Sequence, residues 1–276
     1  MPANTDVPNV TTVRHHKNVP PMDVRVLVDY DGTLVPIAAS PELAVPDDEV
    51  LALLVALAGR HGVRVGIVSG RAHVDLDSWF GPLPIALWAE HGFWHRSRPG
   101  DPWEAAGSVP RGWMRRVAPI LSQITASTPG SYVERKTASI AWHYRLAEPT
   151  VAARQVRTLR ARLDNDLRDQ PIDVLEGKKV IEVRLPGVSK ALVAKRLAAE
   201  CSPETSIVAI GDDQTDEELF CALPESSVTV AVGNQRSSAK HRLPDYRAVR
   251  QLLRAMLDDP RVLTTSLLRT ADSPGV

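Results

Sequence analysis

The chain has 276 residues and a mass of 30.1 kDa, with 33 Lys plus Arg against 33 Asp plus Glu. This balance leaves no basic excess for nucleic acid, and 43% hydrophobic residues argue against wholesale disorder. Two cysteines, Cys201 and Cys221, make neither a disulfide framework nor a metal motif and read as small buried hydrophobes. The longest clean apolar run, from Val50 to Gly59, is too short for a membrane helix, so no membrane partner is expected. Without an apolar signal core at the N-terminus, the chain reads as cytoplasmic.

Residues 1–21 read as a disordered lead, rich in Pro, Asn, Thr, His and Lys. Val24 to Val28 reads as a buried strand ending in Asp29-Tyr30-Asp31-Gly32-Thr33, with Gly32 supplying the turn. Asp47 and Asp48 can cap a helix to about Arg60, with Val50, Leu54, Leu57 and Ala58 on one face and Gly62 at its end. Val63 to Val68 is a second strand, followed by Ser69-Gly70-Arg71. Pro84 to Ala89 is a third, followed by Glu90-His91-Gly92. This β-α-β rhythm predicts a parallel sheet with helices on its faces, a Rossmann-like α/β core.

The rhythm changes after residue 108. Arg111 to Thr125 has helical character, with a kink or late start at Pro119. Ser131 to Arg145 reads as a hairpin turning near Thr137-Ala138, with Ile140, Trp142 and Tyr144 on one face. A helix follows from Thr150 to about Arg168. A second hairpin runs from Ile172 to Leu185, turning at Gly177-Lys178, with Ile181, Val183 and Leu185 inward and Val180, Glu182 and Arg184 outward. Residues 109–185 thus predict an inserted α+β cap between two core segments, 22–108 and 186–258. In the second segment, Ser189 caps a helix to about Glu200. A strand over Thr205 to Ile210 leads into Gly211-Asp212-Asp213-Gln214-Thr215-Asp216-Glu217, and a helix runs on through Leu223. The strand Ser227 to Val232 and the helix Tyr246 to Leu257 follow. The tail, 259–276, has no strong pattern.

Acidic residues recur where strands end: Asp29 and Asp31 early, Asp212, Asp213 and Asp216 late. In an open parallel sheet such positions converge on one crevice. Converging carboxylates repel one another, and a hard divalent cation offsets that charge. Ser69 adds a hydroxyl donor and Lys190 a compact cation. Together these groups suit a phosphoryl group. Taken singly, Asp212 and Ser69 read more readily as turn or cap residues and Lys190 as a solvated surface residue. The pentapeptide at 29–33 is the sharpest signal.

These residues resemble the four ordered motifs of the haloacid-dehalogenase-like phosphatases: Asp29-Tyr-Asp31-Gly-Thr33, Ser69, Lys190 and Gly211-Asp212-Asp213-Gln-Thr-Asp216-Glu217. Within that superfamily the chain is similar to trehalose-6-phosphate phosphatases, over roughly residues 24–258. Supporting segments are Ser69-Gly70-Arg71, Ala89-Glu90-His91-Gly92, Glu134-Arg135-Lys136, His143-Tyr144-Arg145 and Glu182-Val183-Arg184. One departure is Ser189-Lys190-Ala191, where the family usually has Asn-Lys-Gly. The resemblance implies Asp29 as nucleophile, Asp31 as general acid and base, and Ser69 and Lys190 as holders of the phosphoryl group. It implies Mg²⁺ on the Asp29 side chain, the Asp31 carbonyl and Asp212, supported by Asp213 and Asp216. Thr33, Gly70, Arg71, His91, Glu134, Lys136 and Glu182 are the implied substrate-binding set. Without the resemblance, Glu134 and Lys136 read as a solvated cross-strand pair. The expected substrate is a small sugar phosphate, bound by a monomer, with trehalose 6-phosphate first. The alternatives are another disaccharide-like phosphate (pseudo-disaccharide, sucrose or mannosyl-phosphoglycerate type) and a catalytically silent sugar-phosphate-binding module.

Overall fold

The computed structural model describes residues 23–110, 112–259 and the backbone of 269–270. The lead at 1–21 and nearly all of the tail fall outside the described residues. The first strand, β1 (Val24–Val28), is five residues of branched and long apolar side chains around one arginine, VRVLV. Both faces are covered, so the run is nearly continuous rather than alternating. Asp47 caps α1 (Asp48–Ala58), its side chain accepting from the Val50 amide at 2.9 Å. The helix stops at Ala58. Gly62, expected as its terminator, instead sits at positive φ in the turn that enters β2 (Val63–Val68).

A short helix then appears that the periodicity did not signal, α2 (His73–Phe80), in which only Leu76 and Phe80 are buried. Two buried residues in a run of eight are too few to show a period. The third strand, β3 (Ala86–Ala89), starts two residues later than expected, after Pro84 and Ile85. Two short unanticipated strands, β4 (Trp94–Arg96) and β5 (Glu104–Ala105), extend the sheet antiparallel.

Next come α3 (Val117–Ala126), β6 (Tyr132–Arg135), β7 (Ser139–His143), α4 (Pro149–Asp166), β8 (Asp173–Gly177) and β9 (Val180–Arg184). Pro119 lies in the first turn of α3, where a missing N–H costs nothing, so the late start holds. The four strands pair antiparallel in the order β6-β7-β9-β8. The helices lie on one face of this sheet. Ile140, Trp142, Ile181 and Val183 pack there against Leu121, Ile124, Leu159 and Leu163. The other face of β9 is the surprise. Glu182 and Arg184, expected to face outward, are only 6% exposed, because this face of the cap closes on the core sheet.

The chain then returns through α5 (Ala191–Glu200), β10 (Ser206–Gly211), α6 (Gln214–Ala222), β11 (Val228–Val232), the short β12 (His241–Leu243), α7 (Tyr246–Asp258) and β13 (Arg269–Thr270). The large sheet has the order β13-β12-β11-β10-β1-β2-β3-β4-β5. Its six middle strands, β12 to β3, are all parallel. The sequence moves outward from β1 in both directions, so the order reverses between β1 and β10. A crevice opens there at the carboxyl ends. Val28 pairs with Ile210, which brings Asp29 beside the Gly211-Asp212 turn.

His95 on β4 lies against Trp88, ring centroids 3.9 Å apart. Burial, helped by the Arg196 charge, pushes its pKa down to about 4. The unfolded chain therefore binds an extra proton between pH 6.5 and 4, and stability should fall as pH falls through that window. The shift corresponds to a loss of up to about 3 kcal/mol at its acid end. Urea denaturation across this range should show that slope, and His95→Phe should flatten it.

Candidate active site

The Asp29-Tyr30-Asp31 tripeptide leaves β1 still alternating. Asp29 and Asp31 line the cavity, while Tyr30 turns into the core and donates to the Ala44 carbonyl at 2.6 Å. Gly32 then closes the turn at φ +87°, and a Cβ there would collide with the Asp212 carboxylate. Glycine serves here both for the left-handed backbone and for the close approach.

Lys190, just ahead of α5, is 1% exposed. Its ammonium donates to Asp29 Oδ1 at 2.6 Å and Asp216 Oδ1 at 2.7 Å. Burial alone would push this ammonium down, but Asp216 and Asp29 outweigh it and hold its pKa well above that of an ordinary lysine. Asp216 Oδ2 accepts from the backbone amides of Asp212 and Asp213 at 2.9 and 3.1 Å. Asp213 caps α6, with Oδ1 accepting from the Thr215 amide at 2.9 Å and the Thr215 hydroxyl at 2.7 Å. It serves the helix and also lines the cavity beside the other carboxylates.

Asp29, Asp212 and Asp216 each present an oxygen within 4.8 Å of the others, a spacing that could hold a metal ion. Burial and neighbouring carboxylates push Asp29 well above the usual range and Asp216 to about 7. Burial also raises Asp212, against the pull of the Lys178 ammonium, which donates to its Oδ2. When all four aspartates here, 29, 212, 213 and 216, are ionised, Lys190 and Lys178 offset two charges and leave two. One divalent cation would supply that deficit, so the donor set fits a hard dication.

All the sequence-predicted residues except Thr33 and Asp216 line one cavity of about 470 Å³ between core and cap. Thr33, expected on the substrate side, is fully buried and donates to Asp212 Oδ1 at 3.2 Å, so it orients a carboxylate. Gly70 makes room for a neighbour, since a Cβ there would lie 2.6 Å from His91 Cε1. Ser69 Oγ accepts from the Arg71 amide at 3.2 Å. Arg71 grips Asp31 with two bonds, 2.7 and 2.8 Å, and donates to the Pro41 carbonyl at 2.9 Å. Its guanidinium lies over the Trp79 ring at 4.7 Å.

The cap supplies a second charged cluster. Glu182 accepts from Ser139 Oγ at 2.5 Å, lies 3.4 Å from Lys136 Nζ and 3.0 Å from His91 Nε2 of the core. Burial would raise Glu182, but Lys136 and His91 hold it well below the usual range. Lys136 is pushed the other way, to about 12, because Glu182 and Glu134 overcome its burial. Glu134 in turn bonds His143 Nε2 at 2.8 Å. His143 therefore serves a cavity residue, whereas Arg145 donates to the Lys178 carbonyl at 2.7 Å.

Sequence reasoning missed Lys178 and Glu90. Lys178 was visible only as a turn residue, and no spacing links it to Asp212, 34 positions away. Glu90 was visible only within the Glu90-His91-Gly92 segment.

A doubly wound parallel sheet with paired aspartates after β1, a buried lysine and an acidic turn after β10 has the fold of the haloacid-dehalogenase-like hydrolases. A protein of that description from Bacteroides thetaiotaomicron shares the fold at 15% identity, with a TM-score of 0.60 over 85% of this chain and 99% of that one. More narrowly, the chain belongs to the trehalose-phosphatase family, whose model matches residues 27–250. It is 46% identical over 228 residues to a bifunctional trehalose-6-phosphate synthase/phosphatase of Thermoproteus tenax, covering 83% of this chain and 31% of that protein. It also resembles the C-terminal domain of the trehalose-6-phosphate phosphatase of C. albicans, at 28% identity and a TM-score of 0.80 over 86% of this chain and 93% of that one. The chain spans under a third of the length of the first curated relatives it matches.

Removing the Lys190 charge strands buried carboxylates. Lys190→Met should cost about 3–5 kcal/mol at neutral pH, read by thermal or urea denaturation.

Proposed function

We propose that this chain is a Mg²⁺-dependent phosphatase that releases phosphate from trehalose 6-phosphate through an aspartyl-phosphate. The observation that carries the reading is Asp29 itself: held by a buried lysine, within ligating distance of Asp212, at the floor of a cavity whose roof carries Glu134, Lys136 and Glu182.

On this reading the Asp29 carboxylate attacks phosphorus and the bond to the sugar oxygen breaks. Asp31 leaves Arg71, takes up a proton from solvent as it turns toward the leaving oxygen, and gives that proton to it. Asp31 then takes a proton from the water that attacks the aspartyl-phosphate, and phosphate leaves with Asp29 restored. Lys190 and the Ser69 hydroxyl hold the phosphoryl oxygens, where charge accumulates. Asp29, Asp212 and the Asp31 carbonyl would hold Mg²⁺, with Asp213 and Asp216 behind them. The ion would withdraw charge from the phosphoryl oxygens and favour the ionised state of Asp29.

The cap cluster suits a sugar. Hydroxyls both donate and accept, and Glu134, Glu182 and Lys136 offer acceptors and a donor from one face. What supports a disaccharide over a small ester is the volume of the cavity, about 470 Å³, and the arrangement of this cluster on its cap side. Arg71 and His91 stand where the two surfaces meet. No helix among the described residues is long and apolar enough to cross a membrane.

Phosphate release from trehalose 6-phosphate should require Mg²⁺ and vanish with a chelator. Asp29→Asn should abolish turnover, by at least about 10³-fold, in a chain that still folds. Wild-type-like turnover in that variant would sink the mechanism. Sucrose 6-phosphate and glucose 6-phosphate should be poor substrates; equal rates on all three would remove the disaccharide assignment.

Glu182→Gln and Lys136→Ala should each weaken use of the sugar phosphate, because each breaks a buried charged pair that faces the cavity. A loss of about 10- to 100-fold in kcat/KM, carried mainly by KM, is expected from steady-state kinetics.

A further inference from the structure

The mechanism above makes no use of Glu90, yet the residue is costly to keep. It is 2% exposed, charged, and sits at φ +48°, a left-handed backbone that a residue with a Cβ adopts only under constraint. His91 follows at φ +58°. Two consecutive non-glycine residues in that region argue that the surroundings hold them there.

The surroundings come from the cap. Glu90 belongs to the core, just after β3, where its amide donates to the Arg71 carbonyl at 2.9 Å. Its carboxylate reaches across to the β6–β7 turn. Oε2 accepts from the Thr137 amide at 2.8 Å and the Ala138 amide at 3.2 Å, and Oε1 accepts from the Thr137 hydroxyl at 3.0 Å. Trp94, also of the core, donates to that same hydroxyl at 2.9 Å. One carboxylate thus takes three hydrogen bonds from the tip of a cap hairpin. Charge-assisted bonds to a sealed carboxylate are among the stronger polar contacts. His73 Nδ1, which has no hydrogen-bond partner among the described residues, lies 3.8 Å from Oε1.

The place matters as much as the bonds. The captured turn lies between Lys136 and Ser139, and both approach Glu182. Ala138 packs with Phe93, Leu185 and Val188, beside the stretch where the chain passes from cap back to core. The Leu185 amide donates to the Ala138 carbonyl at 2.9 Å. Glu90 therefore grips the cap where the two units join, while Lys178 meets Asp212 through the other hairpin.

We infer that Glu90 is a positioning residue that docks the β6–β7 turn onto the core at the hinge, and so sets Lys136 and Glu182 in place against His91 for the substrate. This rests on the sugar-phosphate reading for its consequence, though not for the docking itself. A cap freed at this point still carries every sugar-facing side chain, but no longer holds them in one geometry. Binding of the sugar suffers before the chemistry on Asp29 does.

The test uses the full chain. Glu90→Ala should raise KM for trehalose 6-phosphate at least tenfold while kcat falls less than threefold. Glu90→Gln, whose amide oxygen can still accept from both turn amides, should recover most of that loss. Thr137→Ala, which removes the hydroxyl's bonds to Glu90 and from Trp94 but no charge, should show a smaller KM effect than Glu90→Ala. Hydrogen exchange should show the Thr137 and Ala138 amides protected in wild type and at least tenfold faster in Glu90→Ala. An unchanged KM in Glu90→Ala, or a parallel loss of kcat and folding that Gln does not rescue, would overturn the inference. A wild-type chain inactive on trehalose 6-phosphate would fail the functional reading instead. The exchange measurement then decides the docking, and equal protection in both chains would overturn it.

Discussion

The structure is organised around a buried ammonium. Lys190 cannot stand in the interior without compensating charge, and two aspartates from opposite ends of the sequence supply it. Asp29 arrives on β1 and Asp216 on the first turn of α6. The remaining oxygen of Asp216 is spent on the amides that open the Asp212-Asp213 turn. The polar groups exposed at the end of β10 are thus satisfied by the same residue that neutralises the lysine. Thr33 completes the arrangement by holding Asp212 from the β1 side. Gly32 lets the backbone pass close enough for it to do so. Loss of one member unbalances the others, since each carboxylate's charge is set by its neighbours.

That constraint explains which parts were legible. Each motif is local, a buried strand followed by one turn, and alternation with turn chemistry reads well over five to eight residues. The strand ends converge because the sheet is parallel, so the sequence reading brought Asp29, Ser69, Lys190 and Asp212 to one crevice. It erred at Thr33, which reads as a pocket residue but faces inward. Helix α2 buries only Leu76 and Phe80 over eight residues, too short a run to show a period, and β12 is three residues long.

The larger misreading concerns the cap. Alternation along β9 separates Ile181 and Val183 from Glu182 and Arg184 correctly, yet it does not say what covers the second face. That face meets the core: Glu182 meets His91, and Arg184 pairs with Glu218 of α6. Residues that read as solvated therefore become buried ions, and their partners lie 34 to 91 positions away. Glu90 and Lys178 escaped notice for the same reason. A carboxylate next to a glycine turn looks like ordinary punctuation until the hairpin it grips is brought against it.

The cap cluster also carries an electrostatic consequence for recognition. Glu134, Lys136, Glu182, His91 and His143 form an alternating chain of acceptors and donors bonded to one another. An array held by its own bonds spares a sugar part of the cost of ordering long side chains on binding. The array nonetheless spans two units: His91 belongs to the core, and the other four belong to the cap. Its geometry is therefore only as good as the docking between them, and beside the apolar contact of Ala138 with Phe93 that docking is polar, through Glu90, Lys178 and Arg184. Polar seams of this kind exchange protein partners for water at little net cost, whereas an apolar seam of equal area resists opening. On the proposed reading this suits a cap that must open to admit a disaccharide and close to exclude bulk water. The seam's polarity and the cavity's polarity then serve one cycle of opening and closing.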